Sequence, residues 1–450
     1  MKPTPTRREF LKQTAVAAGT ALAAPYLMGR SAYGQDDKLA VAVIGAGGMG
    51  GYAVDQALNE RLVALCDIDD GTMAKVLKSV AERQPGLTPK TYADYRVMLE
   101  ECANDIDVVL VSTPDHNHAP AAIRAIDLGK HVFVQKPMAH NIRECLVLAK
   151  AAKKKHVLTQ MGNQGHCSEG FRRACEDLWA GAVGNVRETH SMLGRNFGGT
   201  GGRPPTKPVP PGVHWDEWIG PAPYRDYHDG LHPFSWRDWR DFGTGSIGDM
   251  ACHNVDCVFF GLKINEAKHY TIECLNTNGG SAEMCPQDNI VRFNIPARGG
   301  MPSVHVYVYD HDGLMPGVMK RAARRFGVEM GECTLYVGDK GLYRTTSHAG
   351  EAGILTPERA AEWKEPPKVL PEAHGGPIED LYYAIRNGTT PASNFPEAAT
   401  PLTAFVLSAQ LAQNAGVGKI VEWDVQEMKC TNMPELNQYI GRTYRPGWEV

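Results

Sequence analysis

The amino-acid sequence predicts an α/β fold in which a doubly wound parallel sheet precedes an α+β domain with a large open, mostly antiparallel sheet. Three observations lead to this prediction. Short apolar runs alternate with helical patterns between Leu39 and Gln160, as in parallel sheets covered by helices. From Tyr270 to Val337, strand-like runs follow one another without helical patterns between them, which is typical of an antiparallel sheet. The chain has 450 residues, enough for two or three domains.

The first apolar run, Leu39–Val43, contains β-branched residues and predicts a strand buried on both faces. It leads into the pattern G-x-G-x-x-G at Gly45, Gly47 and Gly50. In such a motif the first glycine permits a tight turn, the second lets the backbone approach a pyrophosphate, and the third lets the next helix pack closely. A helix that begins near Met49 would direct its free N–H groups at the phosphates. On its own, the pattern also fits a glycine-rich turn without a ligand.

A second apolar strand, Leu62–Cys66, ends at Asp67, 17 residues after Gly50. This offset is close to the roughly 20 residues that separate such glycines from the acidic residue that binds the adenosine ribose hydroxyls. Two more aspartates follow, and no Arg or Lys occurs before Lys75, so a 2′-phosphate would meet like charge. The sequence therefore predicts a Rossmann dinucleotide-binding domain that prefers NAD to NADP.

The remaining elements of this domain follow in the order that a parallel sheet requires, and we place the domain at residues 36–160. Helices are predicted at Ala53–Leu58, Met73–Glu82, Tyr92–Cys102, Ala119–Leu128 and Asn141–Lys155, and strands at Asp107–Val111, His131–Val134 and Val157–Thr159.

The second domain is predicted over residues 161–450. Its expected helices are Ser168–Ala180, Ile247–Phe260, Ile378–Arg386 and Pro396–Asn414, the last two packed on its sheet, and its expected strands are Val186–Leu193, Tyr270–Leu275, Ile290–Ile295, Ser303–Tyr309 and Thr334–Val337. Residues 194–245 are rich in Gly, Pro and Trp and have no clear periodicity. Four tryptophans in this aromatic segment argue against disorder, and a loop of this length favours a functional role.

Composition excludes several classes of protein. Hydrophobic residues make up 43% of the chain, which supports a large core, and the net charge of −4 with scattered basic residues does not indicate nucleic-acid binding. No apolar run is long enough for a mature membrane span. The 11 cysteines show no C-x-x-C or paired spacing, so we expect buried thiols and not a disulfide framework.

The N-terminus carries an export signature. Thr6–Lys12 is a twin-arginine motif, and an alanine-rich stretch over Thr14–Met28 and small residues follow it. We therefore expect a signal peptide over residues 1–35 and a periplasmic location; an ordinary amphipathic helix is the alternative. Because a periplasm contains little free nicotinamide cofactor, we expect the cofactor to be bound tightly before export and to be regenerated in place.

Two groups of residues suggest chemistry. Lys136 follows a predicted strand at the edge where open α/β sheets bind ligands, and it could donate a hydrogen bond to a substrate hydroxyl. Asp249 and His253 are four residues apart on a predicted helix and share a face, so the aspartate could orient an imidazole that takes the hydroxyl proton. A surface lysine and a helix-start aspartate with a buried histidine are the alternatives.

These residues resemble the motifs of the Gfo/Idh/MocA oxidoreductase family over about residues 38–422. The resemblance includes the glycine motif, Thr113-Pro114 with His118, Gln135-Lys136-Pro137 in place of Glu-Lys-Pro, and Gly248-Asp249 with His253. It implies that Lys136, Asp249 and His253 form the catalytic group. Gln135 departs from the family glutamate, so any charge pairing with Lys136 is lost, and Ala251 stands where many relatives have glycine.

The predicted contacts are of two kinds. Those to the cofactor are Gly45, Gly47, Gly48, Met49, Gly50, Asp67, Thr113, Pro114, His118, Gln135, Lys136 and Gln164. Those to the substrate are Lys136, Asn163, Trp236, Arg237, Arg240, Asp249 and His253, because aromatic faces and guanidinium groups suit a sugar. The tryptophans could equally pack an arm or a subunit interface. Asp115, His116 and His118 are residue types that bind metals, but they follow a strand of the dinucleotide-binding fold, so we expect no metal site.

Three functions remain open from the sequence. The first is an NAD(P)-dependent oxidoreductase that transfers hydride between a sugar, polyol or sugar-acid hydroxyl and a tightly bound cofactor. The second is a glycoside hydrolase that works by transient oxidation and elimination, an activity that the family resemblance also implies for some members. The third is a non-catalytic carbohydrate-binding protein. The partner is a small carbohydrate, and we expect a homo-oligomer, either a dimer or a tetramer.

Overall fold

A computed structural model describes residues 37–450, so the twin-arginine motif and the predicted signal peptide lie outside the described residues. The N-terminal domain is a six-stranded parallel sheet in the order β3-β2-β1-β4-β5-β6. Its strands are β1 (Ala40–Ile44), β2 (Arg61–Cys66), β3 (Lys90–Tyr92), β4 (Val108–Val111), β5 (His131–Val134) and β6 (Thr159–Met161). Its helices are α1 (Gly50–Leu58), α2 (Asp70–Arg83), α3 (Tyr95–Cys102), α4 (Asp115–Asp127) and α5 (Ile142–Lys155). The central strands β1 and β4 are buried along their whole length, which explains their continuous apolar runs.

The C-terminal domain contains a nine-stranded sheet in the order β13-β12-β11-β7-β10-β9-β8-β14-β15. All neighbours are antiparallel except β7 and β10. Its strands are β7 (Val186–Met192), β8 (His269–Gly279), β9 (Pro286–Ile295), β10 (Val304–Tyr309), β11 (Cys333–Gly338), β12 (Gly341–Thr346), β13 (Ala352–Ile354), β14 (Ile420–Asp424) and β15 (Lys429–Cys430). Its helices are α6 (Glu169–Trp179), α7 (Trp215–Ile219), α8 (Gly245–Asn254), α9 (Asp256–Gly261), α10 (Gly317–Phe326), α11 (Pro357–Glu362), α12 (Pro377–Asn387) and α13 (Thr400–Ala415).

The predicted fold class is confirmed, with local differences. The expected helix Ile247–Phe260 is two helices, α8 and α9, separated at Val255. The expected strand Val157–Thr159 begins two residues later, at β6. Tyr92 lies in the short strand β3 and not in a helix, because this segment pairs with the end of β2. Helix α10 lies between β10 and β11, and its buried Met319 packs against one face of the nine-stranded sheet.

One late helix belongs to a different core from the one expected. Helix α12 was expected on the C-terminal sheet, but its apolar face joins Leu39 and Val41 in the core of the N-terminal domain. Arg386 at its end pairs with Glu60 at 2.6 Å, and Glu379 accepts a hydrogen bond of 2.7 Å from Tyr52. The amphipathic pattern of α12 defines a buried face but not the sheet against which it packs. Helix α13 packs on the C-terminal sheet as predicted, with Phe405 stacked on Phe293 at 4.2 Å between ring centroids.

All eleven cysteines are buried free thiols, as predicted. Of the helices in residues 37–450, none has the length and apolar character needed to cross a membrane.

Candidate active site

A cavity of about 550 Å³ runs along the carboxyl ends of the parallel strands and beneath the aromatic segment. We call it the main cavity. It lies where open α/β sheets bind ligands. The predicted site residues that line it are Gly45, Gly47, Gly48, Met49, Asp67, Thr113, Pro114, His118, Gln135, Lys136, Trp236, Arg237 and Asp249. The single cavity therefore joins the glycine turn to Lys136 and Asp249, whereas His253 is not among its lining residues.

The glycine turn can be built only from glycine at two positions. Gly45 has φ of +80°, and a Cβ there would lie 2.7 Å from the carbonyl oxygen of Ser112. A Cβ on Gly50 would lie 2.0 Å from the carbonyl oxygen of Gly45, so α1 could not start so close to β1. Within the described chain, no side chain caps the start of α1, and Met49 there borders the main cavity. This arrangement suits the phosphates of a dinucleotide.

Asp67 connects the glycine turn to the end of β2. Its Oδ2 accepts backbone N–H groups of Ala46 at 2.8 Å and Gly47 at 3.1 Å, and its Oδ1 accepts that of Asp69 at 3.0 Å. Burial raises the pKa of this carboxyl, although the three N–H groups oppose that effect. The carboxylate still borders the cavity, where it can accept the hydroxyls of a ribose. The turn, the carboxylate and the cavity thus fit a dinucleotide.

His118 fastens two loops beside the cavity. Its Nδ1 lies 2.8 Å from the carbonyl oxygen of Pro137, and its Nε2 lies 2.8 Å from that of Thr113. Burial lowers its pKa to about 4, so the ring is neutral and its one N–H can donate to only one carbonyl at a time. His118 therefore fixes the loops that carry Thr113 and Lys136.

Lys136, Asp249 and Arg237 meet at one end of the main cavity. The Nζ of Lys136 donates to the Oδ1 of Asp249 at 3.0 Å and to its backbone oxygen at 2.8 Å. The Nε of Arg237 donates to the same Oδ1 at 3.3 Å. Burial opposes ionisation of Asp249, but the two cations outweigh it and hold its pKa below the usual value. The single carboxylate offsets only one of the two cations, so the three side chains together carry a net positive charge.

His253 lies close to this group but is arranged differently from the prediction. The carboxylate of Asp249, which was expected to orient the imidazole, is directed to Lys136 and Arg237 instead. The ring of His253 packs against that of His348 in a tilted arrangement, with 3.9 Å between centroids. Its Nδ1 is buried without a hydrogen-bond partner among the described residues. Burial, with Lys136 and His348 nearby, lowers its pKa well below the usual value, so the imidazole is a neutral proton acceptor.

Asp115 also lines the main cavity, although no motif in the sequence indicates a catalytic role for it. It is 2% exposed, begins α4, and accepts a hydrogen bond of 2.7 Å from the hydroxyl of Thr244. Burial, and next the charge of Asp249, raise its pKa to about 7. A carboxyl whose pKa lies near neutrality can take up or release a proton during a reaction.

The aromatic segment covers the adenosine side of the main cavity. Its backbone is bonded to the loop after β2: Asp70 donates to Gly212 at 2.8 Å, and His214 donates to Ile68 at 2.8 Å. Two imidazoles reinforce these contacts, His214 at 3.1 Å from Asp70 and His232 at 3.4 Å from Asp69. The aspartates after Asp67 therefore hold the segment against the cofactor cleft, which their sequence positions could not reveal.

The tryptophans of the aromatic segment pack together, and two of them, Trp218 and Trp236, also border the main cavity. Trp215, Trp218 and Trp239 are buried in a cluster of their own with Phe242. Trp215 and Trp218 stack at 4.6 Å between centroids. Trp236 belongs to the same cluster but also borders the main cavity, where the guanidinium of Arg237 lies 4.2 Å from its ring centroid.

Five predicted contacts are not among the residues that line the main cavity: Gly50, Asn163, Gln164, Arg240 and His253. Asn163 is fully buried and donates to Asp256 at 3.0 Å, so it is unavailable to a substrate. Gln164 starts a short turn, and its side-chain Oε1 is buried. It is not among the residues that line the main cavity. Arg240 binds the carbonyl oxygens of Ser281 and Met284 at 2.9 and 3.0 Å and borders a second cavity. Adjacency in sequence to the cleft was a poor guide, because these side chains point into the C-terminal domain.

Comparisons with known proteins agree with this architecture. A family model described as "Oxidoreductase family, NAD-binding Rossmann fold" matches residues 39–163, and the model of the C-terminal alpha/beta domain of the same Gfo/Idh/MocA family matches residues 196–282. The NAD-binding description agrees with the glycine turn and Asp67, so the cofactor of this domain is NAD.

Curated relatives match part of the chain. Glycosyl hydrolase family 109 protein 2 from Shewanella sp. (strain ANA-3) is 34% identical over 169 residues, 33% of this chain and 37% of the relative. Levoglucosan dehydrogenase from Pseudarthrobacter phenanthrenivorans is 26% identical over 191 residues, 40% of this chain and 41% of the relative. The matches thus span about two fifths of the length of these relatives.

Solved structures are similar over most of the chain. The WlbA dehydrogenase from Bordetella pertussis, in complex with NADH and UDP-GlcNAcA, has a TM-score of 0.53 and 15% identity and covers 84% of this chain and 98% of its own. The aldose-aldose oxidoreductase from Caulobacter crescentus has a TM-score of 0.53 and 17% identity and covers 85% and 99%. At these identities the likeness shows the fold.

Proposed function

This chain belongs to the Gfo/Idh/MocA oxidoreductase family, and on that premise we propose that it transfers hydride between a carbohydrate hydroxyl carbon and NAD. The observation that carries the proposal is the meeting of Lys136, Asp249 and Arg237 at the end of the cavity that begins at the glycine turn. NAD, when bound, supplies the hydride acceptor. Gly45, Gly47 and Asp67 are the residues that would hold it.

The residues of the chain then have distinct roles. Lys136 donates a hydrogen bond to the substrate hydroxyl and stabilises the negative charge that develops on its oxygen. Asp249 holds the ammonium group of Lys136 in place through the 3.0 Å ion pair. His253, a neutral imidazole beside this group, accepts the hydroxyl proton.

We propose a sugar acid as the favoured substrate within the sugars and polyols. The net positive charge of Lys136, Arg237 and Asp249 favours a carboxylate on the substrate. Trp236 offers an aromatic face beside Arg237, suited to the C–H surface of a sugar ring.

We further propose that NAD is retained between turnovers. The aromatic segment lies over the adenosine side of the cavity and is bonded to the loop after Asp67, so dissociation of NAD requires these contacts to open. Retention would suit an exported enzyme, and we propose export by the twin-arginine route to the periplasm. A homo-oligomer is proposed as well, through the sheet face on which Glu273, Arg292 and Tyr307 lie in register.

The first test is the Lys136→Met variant. The purified protein is denatured to identify its nucleotide, and reduction of bound NAD is followed by absorbance with neutral sugars, polyols, uronic acids and levoglucosan. We expect NAD at one per chain in both proteins and about a 100-fold slower reduction in the variant. Lys150→Met, on the exposed side of α5, is the control that should react normally. Normal reduction in Lys136→Met would refute the proposal.

Cleavage of a glycoside by a redox-neutral cycle is the second candidate. Relatives named glycosyl hydrolase family 109 proteins favour it, and so does Asp115, a carboxyl that can exchange protons in the same cavity. Release of nitrophenol from nitrophenyl glycosides without net NADH would support this candidate, whereas a free ketose or lactone as product would support the first.

A further inference from the structure

A second histidine completes the catalytic group from a part of the chain that the proposed function does not use. His348 lies in the turn between β12 and β13, and its ring lies 3.9 Å from that of His253 between centroids, at an interplanar angle of 36°. Lys136 and Asp249 act electrostatically on this imidazole, so it faces the same group as His253.

The backbone that presents His348 is strained. His348 has φ of 56° and Ala349 has φ of 51°, so two successive residues with side chains adopt the left-handed conformation. Strain of this kind persists where the surroundings enforce it, often at functional sites.

The surroundings of this turn are built to hold it. A Cβ on Gly165 would lie 2.4 Å from the carbonyl oxygen of His348, and one on Gly170 would lie 1.9 Å from that of Ala349. The hydroxyl of Ser168 donates to the same Ala349 oxygen at 3.1 Å. Glycines and a hydroxyl from the start of α6 thus accommodate the strained turn.

A polar chain fixes the ring itself. The Oγ of Ser347 lies 2.7 Å from the Nδ1 of His348, 3.3 Å from the Oε2 of Glu332 and 3.3 Å from the Oδ1 of Asn254, the residue after His253. Glu332 in turn pairs with Arg195. The ring of His348 is therefore held by Ser347, which is also bonded to the neighbour of His253 in the chain.

We propose that His348 is the positioning residue for His253: it holds the catalytic imidazole by face contact, and the two rings together accept a single proton. The inference rests on the proposed function. In that reaction the C–H bond breaks as hydride leaves for NAD, the carbonyl bond forms, and the hydroxyl proton passes to His253. A charge on either imidazole then opposes a charge on the other.

The charged groups that face this pair come from several elements. They are Lys136, Asp249, Arg195 and Glu332. Burial, and next Lys136, lower the pKa of His348, and burial, Lys136 and His348 lower the pKa of His253. A charge on His348 therefore opposes protonation of His253.

The test is the titration of histidines in ¹³C-histidine-labelled protein with its NAD bound, followed by NMR and needing no substrate. His348→Asn keeps a residue that tolerates the left-handed conformation but removes the second charge. We expect the pKa of His253 to rise by about one unit in this variant. His348→Phe, which keeps a flat ring but has no charge, should also raise the pKa of His253. His374→Phe removes another stacked histidine, on Tyr383, and should leave His253 unchanged.

An unchanged pKa of His253 in whichever His348 variant folds would overturn the proposal. Glu332→Gln leaves the strained turn intact and gives an independent measure: the pKa of His348 should fall because the carboxylate that favours its charge is lost. An unchanged pKa of His348 there would also overturn it. Failure of the proposed function is separate, because it appears as normal NAD reduction in Lys136→Met while the coupled titration remains.

Discussion

Asp115 shows how burial can move the titration of a carboxyl group close to neutral pH. Its pKa is raised from the ordinary 3.8 to about 7, so the folded protein keeps a proton that the unfolded chain releases between these pH values. Unfolding therefore becomes easier as pH rises through this window, and the effect is constant above pH 7. At about 1.4 kcal/mol per pH unit, the loss of stability amounts to about 4 kcal/mol.

Asp115→Asn should remove this loss, because the amide keeps an oxygen for Thr244 and has no proton to release. We expect the variant to become more stable than the parent as pH rises from 4 to 7, measured by urea unfolding at each pH. Asp310→Asn is the matched control: Asp310 also has a pKa of about 7 through burial, but it is bonded to Asn289 on β9. Both variants should gain stability, whereas only Asp115→Asn should alter the pH dependence of NAD reduction. Stability curves parallel to the parent would contradict this account.

The position of a single residue was predictable where a motif specifies both the residue type and its place at the end of a strand. Lys136 and Asp249 meet as the motifs implied, because the end of β5 and helix α8 border one cavity. His348 could not be found, since its role depends on a left-handed turn that no residue type at this position signals. Asn163 was misplaced because a polar residue after a strand can turn either toward the cleft or toward a buried carboxylate.

At the scale of elements, the aromatic segment is a small folded unit with a core of its own. Trp218 is 2% exposed, stacks on Trp215 and accepts, through its carbonyl oxygen, a hydrogen bond of 2.8 Å from His116 of α4. The segment lacked periodicity in the sequence because its core comes from the five-residue helix α7 and from short turns, which are too short to show a repeating pattern. Its tryptophans indicated that the segment is ordered, but the sequence did not show that it covers the cofactor cleft.

Trp218→Ala should therefore loosen the cover of the cofactor. We expect a loss of about 3–5 kcal/mol in unfolding free energy and faster release of NAD, measured by urea unfolding and by gel filtration of the holoprotein followed by nucleotide analysis. Trp179→Ala is the control, because Trp179 is 37% exposed at the end of α6. Equal NAD retention in the two variants would show that the segment does not hold the cofactor.

At the scale of the whole molecule, the two domains are not consecutive pieces of chain. Helix α12 fills the core of the N-terminal domain, and near the C-terminus Trp448 packs on Tyr95 at 5.8 Å between centroids and under the guanidinium of Arg96. The parallel sheet ends with β6 at Met161, but hydrophobic pattern alone could not show that the chain returns to this domain. The NAD-binding domain is thus completed by the last third of the sequence.

This return of the chain predicts that the two domains unfold together. Leu381 of α12 is fully buried beside Leu39 and Val41, so Leu381→Ala should cost about 3 kcal/mol in the free energy of unfolding. Because α12 belongs to the NAD-binding core, release of NAD and the change in tryptophan fluorescence should shift to lower urea by the same amount. Asn387→Ala, at the exposed end of the same helix, should shift neither. If NAD release stayed at the parent urea concentration in Leu381→Ala while fluorescence shifted, α12 would stabilise only the C-terminal domain, and the packing described above would not govern the stability of the cofactor site.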